Sequence, residues 1–113
     1  MAEPSLIDVF GAGATQDAAS VTIQKSALSA VGLSATATNT AESLLCAIVL
    51  LAKNFLSESA FESNLDQSVT IVSGLNSITP RDDSAGNFTG YRQIPITINF
   101  HQADTFTLDP DGF

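Results

Sequence analysis

A chain of 113 residues with 44% apolar side chains can form one domain with a core and is too short for two. Its net charge of −8 sets twelve acids against Lys25, Lys53, Arg81 and Arg92, which are dispersed, so neither nucleic acid nor an anionic membrane surface is an expected partner. Charged residues are only 14% of the chain, and the surface falls largely to Ala, Ser, Thr and Asn, a composition suited to close packing against another subunit.

Residues 1–19 read as an extended arm rich in small side chains. Its larger apolar residues, Leu6, Ile7, Val9 and Phe10, need a surface to cover them, on the same domain or on a neighbour, and are candidate interaction residues. The opening residues lack the basic and apolar stretches of a secretion signal. Val21 and Ile23 then alternate with Thr22 and Gln24, which predicts a short strand with the apolar pair inward. Gly32 predicts a turn.

Residues 39–57 carry the strongest pattern in the chain. Asn39 is the expected N-cap, with Glu42 three residues on as its capping-box partner. Leu44, Ile48, Leu51 and Phe55 follow at helical spacing, and Leu45, Val49, Ala52 and Leu56 form the adjoining stripe. Cys46 and Leu50 carry the apolar surface further round, so Cys46 reads as a buried core residue and the helix as covered on more than one side. The longest strictly apolar run, residues 44–52, is about half of what a bilayer crossing requires.

After Phe61 the pattern is strand-like. Val69 and Ile71 alternate with polar neighbours, and the segment continues towards Ile78 past a break or bulge at Gly74. Residues 79–90 have turn chemistry, and Ile94, Ile96, Ile98 and Phe100 form the clearest alternation, with Pro95 limiting its pairing. The two segments predict a long antiparallel hairpin with residues 81–90 at its tip, followed by a short strand over residues 105–108 and an acidic tail over residues 104–113. The expected fold class is therefore α+β: a small antiparallel sheet with a long hairpin, packed on one central, largely buried helix.

Catalytic chemistry finds little support. His101 is the only histidine, and no Gly-x-Ser-x-Gly elbow accompanies it. One Cys and one His far apart do not make a zinc site, and Asp104, Asp109 and Asp111 lack the pattern of a calcium loop. The glycines at 11 and 13 lack the following Lys-Ser/Thr of a phosphate loop, and the sequon at Asn87 reads as a chance match. The expectation is a chain with no cofactor, no metal and no enzymatic activity.

Four stretches, Phe10-Gly11-Ala12-Gly13-Ala14-Thr15, Val21-Thr22-Ile23-Gln24-Lys25-Ser26, Asn39-Thr40-Ala41-Glu42-Ser43-Leu44-Leu45 and Tyr91-Arg92-Gln93-Ile94-Pro95-Ile96-Thr97, resemble small virion proteins of tailed bacteriophages, cyanobacterial ones in particular. The resemblance spans most of the chain and assigns no residue role. It implies a capsid-decorating (cement) or tail component, made in the host cytoplasm and resident in the virion as a homo-oligomer in contact with other virion proteins. The alternative is a soluble adaptor that presents the 80–90 loop to a protein partner through Arg81, Tyr91 and Arg92. Phe113, closing the tail, is a further candidate contact.

Overall fold

Ser5 sets the chain's first helix: its hydroxyl accepts from the Asp8 amide at 3.1 Å and its own amide donates to the Asp8 carboxylate at 3.1 Å, a reciprocal capping box. The computed structural model describes residues 2–104 and 110–112, and in it this helix, α1 (Leu6–Phe10), packs against the long helix α3 (Ala41–Phe55). The expected extended arm is therefore corrected. Its first residues fold back onto the domain because Leu6, Val9 and Phe10 find cover there, and the Asn64 side-chain amide pins the Ala2 carbonyl at 2.9 Å. A tight hairpin follows, with β1 (Thr15–Gln16) and β2 (Val21–Thr22) joined through Asp17, whose carboxylate accepts the amides of Ala19 and Ser20. Val21 lies outward rather than inward, since so short a hairpin has no second layer over that face.

Helix α2 (Lys25–Leu28) and a 3-10 turn (Ser29–Val31) end at Gly32 in the left-handed conformation, at the expected turn. Gly11, at the end of α1, has φ of 93° and lies so close to its neighbours that a Cβ there would sit 2.6 Å from that of Ala27 and 3.0 Å from Leu51 Cδ2. Glycine thus allows α1, α2 and α3 to meet at one point.

Helix α3 is capped by Thr40, whose hydroxyl accepts from the Ser43 amide at 3.1 Å. Asn39 instead closes the preceding turn, bonding Thr36 and Ser34. The helix stops at Leu56, and Ser57 caps a further helix, α4 (Glu58–Ser63), which the sequence pattern did not predict. By length and hydropathy Ala41–Ser63 matches a bilayer span. It is broken at Leu56, however, and the 15 residues of α3 reach only about 22 Å.

Strands β3 (Val69–Ser73) and β6 (Ile96–Phe100) pair antiparallel, as do β4 (Ser77–Asp82) and β5 (Phe88–Gln93). The two ladders form one long interrupted hairpin. Between them residues 74–76 stand opposite residues 94–95, one residue more on the first strand, so the expected bulge falls at Gly74. The Pro95 carbonyl accepts the Gly74 amide at 2.8 Å, and the proline has no donor to lose at this joint. The tip is shorter than expected, because pairing runs out to Asp82 and Phe88. The predicted strand over residues 105–108 lies outside the described residues.

The architecture is α+β with α3 at its centre. Yet the buried apolar residues among those described are only Ala14, Leu28, Ala47, Ala52, Leu56 and Ile71. The expectation of a largely buried helix is corrected: α3 buries Ala47 and Ala52, while Leu45 is 63% exposed. Cys46 is exposed too, because the two-stranded sheet and the small α1 and α2 helices leave that flank uncovered.

Candidate assembly surface

The β3–β6 sheet turns Val69, Ile71, Ile96, Ile98 and Phe100 towards α3, as their shared register requires. Among the described residues this sheet is two strands wide, too narrow to cover a helix that is apolar on several sides. Two adjoining depressions remain, of about 380 and 400 Å³, sharing Val49 and Ile98 as common walls. Val9 and Phe10 of α1 close one side, Leu45 and Cys46 line the other, and Glu3 and Glu42 stand on the respective rims. The result is an open apolar trough along α3, in which Phe100 is 78% exposed.

The opposite sheet face is better covered. Phe61 of α4 lies 4.5 Å, ring centre to ring centre, from His101, whose Nε2 is 3.3 Å from Thr70 Oγ1. Gln67, buried nearby, donates to the carbonyls of Ser57 and Val69, while its Oε1 has no hydrogen-bond partner among the described residues. These contacts hold His101 between the Phe61 ring and the Thr70 hydroxyl. Among the described residues no cluster of His, Cys, Asp and Glu has the makings of a metal site.

Beyond the bulge the β4–β5 ribbon is exposed at every residue. One face carries Thr79, Arg81, Tyr91 and Gln93, with the Arg81 guanidinium 5.0 Å above the Tyr91 ring. The other carries Ile78, Pro80, Asp82, Phe88 and Arg92, and Phe88 is 74% exposed. At the tip the Asp83 carboxylate accepts the amides of Ala85 and Asn87, which holds its carboxyl below the usual carboxylate range, while Ser84 and Gly86 take positive φ.

Of the residues singled out in the sequence, Val9 and Phe10 reach the trough, whereas Leu6 packs half-buried and Ile7 faces solvent. Arg81 and Tyr91 come together; Arg92 is on the opposite ribbon face, so the three do not form one contact patch. Phe113 lies outside the described residues. Sequence reasoning missed Ile78 and Phe88, which sit in or beside the turn-rich stretch, and read Leu45 as part of a covered helix stripe. The chain matches no family model, no curated protein sequence and no solved structure.

Proposed function

We propose that the chain is a non-enzymatic structural subunit that works as part of an ordered homo-oligomeric assembly, and that this assembly belongs to the capsid or tail of a bacteriophage virion. The observation that carries the assembly reading is surface area. The chain exposes 8500 Å², whereas a folded monomer of its mass exposes about 5,900 Å². Its radius of gyration is 19.1 Å, against about 13 Å for a compact domain of this length. Apolar side chains are prominent in that extra surface: Leu45, Ile78, Phe88, Ile98 and Phe100 are all exposed. Leaving them in water costs roughly 25 cal/mol per Å² of apolar area, which subunit contact recovers.

The virion half of the proposal rests on the sequence resemblance, and it is tested separately. Purified chain is mixed with cyanophage particles stripped of their minor proteins and pelleted, and the complexes are imaged after antibody labelling. Regular decoration of heads or tails supports the reading; particles that pellet without the chain, whatever their source, remove it. The adaptor reading has less in its favour, since Arg92 is turned away from the Arg81–Tyr91 pair on which that contact set depended.

A further inference from the structure

We infer that the joint between the two ladders is a hinge, on which the β4–β5 ribbon swings as one piece relative to the body formed by α3 and the β3–β6 sheet. The inference stands on the bonding of the joint and is independent of the assembly reading. Pairing is continuous on either side, from Val69 opposite Phe100 to Ser73 opposite Ile96 in the body, and from Ser77 opposite Gln93 to Asp82 opposite Phe88 in the ribbon. Across the joint, residues 74–76 and 94–95 share one backbone hydrogen bond among the described residues, from the Gly74 amide to the Pro95 carbonyl at 2.8 Å.

Burial does not brace the joint. Leu75 is 93% exposed and Ile94 57%, and every residue of β4 and β5 is exposed as well. The body is held differently, since Ile71 and Leu56 are buried against each other in the core cluster. Gly74 supplies backbone freedom at the extra residue of the bulge, and the Pro95 ring is a stop on one side, because a Cβ on Gly74 would lie 3.0 Å from its Cγ. A few residues that can absorb a change of φ and ψ between two internally bonded pieces are what a hinge requires.

The ribbon itself is bonded throughout. Its strands pair out to Asp82 and Phe88, the Arg81 guanidinium lies 5.0 Å above the Tyr91 ring, and at the tip the Asp83 amide donates to the Asn87 carbonyl at 3.0 Å. It therefore moves as a unit. Six extended residues reach about 20 Å, so each 10° or so of swing carries the tip by about 3.5 Å. Such an arm can reach a neighbour at more than one angle without repacking the core.

The exposed native cysteine provides the test. Spin labels are placed in the full chain at Cys46 and, through Phe88→Cys, at the far end of the ribbon; a control chain pairs Cys46 with Asn99→Cys in the body. Each is diluted into excess unlabelled Cys46→Ser chain, so that only distances within one chain are read, and is frozen to trap the spread of angles that a μs–ms hinge motion populates. The expected Cys46-to-Phe88 distance distribution is broader than the control by roughly twofold or more. Pro95→Gly, which removes the stop and frees the backbone opposite Gly74, is expected to broaden it further and to leave the control unchanged. Two distributions of equal width overturn the inference. A broad ribbon distribution that Pro95→Gly leaves as it was places the motion within the ribbon and overturns it too, as does a control that widens with it, which would make the joint part of the body's own fold.

Discussion

The amide of Ile71 donates to the carbonyl of Leu56 at 2.9 Å, tying the first long strand to the end of the central helix. Both side chains are buried, and with Ala52 they form the core cluster. This bond uses the edge of β3 that does not pair with β6, and the trough lies over Ile98 and Phe100 of β6. Truncating either side chain removes buried volume where little else holds helix and sheet together. Leu56→Ala and Ile71→Ala are each expected to lose about 2 to 4 kcal/mol, read as a lowered denaturation midpoint at fixed protein concentration. A loss well under 1 kcal/mol would place the core elsewhere.

Gly11 joins three helices, and its φ of 93° and the 2.6 Å approach to Ala27 leave no space for a methyl group. Gly11→Ala is expected to cost about 1 to 3 kcal/mol through strain and overpacking. Amide exchange is the local readout, since the Gly11 amide donates to Ile7 at 2.8 Å and loses protection if α1 lifts off. Unchanged exchange together with unchanged stability would show that the docking of α1 does not depend on this contact.

The hairpin tip carries a pH dependence of definite sign. The amides of Ala85 and then Asn87 hold the Asp83 carboxyl below its ordinary value. A folded-state pKa lower than the unfolded one adds stability that is fully present above the unfolded value and is lost as pH falls through the folded one. In an NMR titration the Ala85 and Asn87 amides should therefore move together with a midpoint below the usual aspartate range, and Asp83→Asn should remove that transition. A midpoint at or above the usual range would contradict the bonded geometry.

Arg81 and Tyr91 lie diagonally across the ribbon, with the guanidinium 5.0 Å above the ring. A double-mutant cycle with Arg81→Ala and Tyr91→Ala should give a coupling of about 0.5 to 1 kcal/mol, as expected for an exposed cation–π pair. Zero coupling would mean that the two side chains do not hold each other in solution.

Much of the chain's layout is written in local pattern. The repeating apolar residues from Leu44 to Phe55 define α3, and Gly74 against Pro95 marks the bulge, because glycine and proline act on the backbone directly. Asn39 and Thr40 are both good caps, and the spacing to Glu42 placed the helix start at Asn39, one residue before the Thr40 cap that forms. Helix α4 carries one large apolar residue, Phe61, too few to show a helical period, although Ser57 has the character of a cap. Cys46 shows where local pattern stops: its apolar neighbours are the same whether a third layer covers that flank or not. The trough is likewise a property of missing cover. The surplus of apolar faces on α3 called for the arm, a second layer or a neighbour to cover it, and the two-strand width of the sheet among the described residues shows which face these leave open.

Sedimentation velocity of the untagged full chain over a dilution series, with the thermal midpoint recorded at each concentration, tests the assembly directly. Association through the exposed surface predicts a sedimentation coefficient and a midpoint that both rise with concentration, because subunit contact stabilises the fold by mass action. An 11.8 kDa monomer at every concentration, melting at a constant temperature, would contradict it.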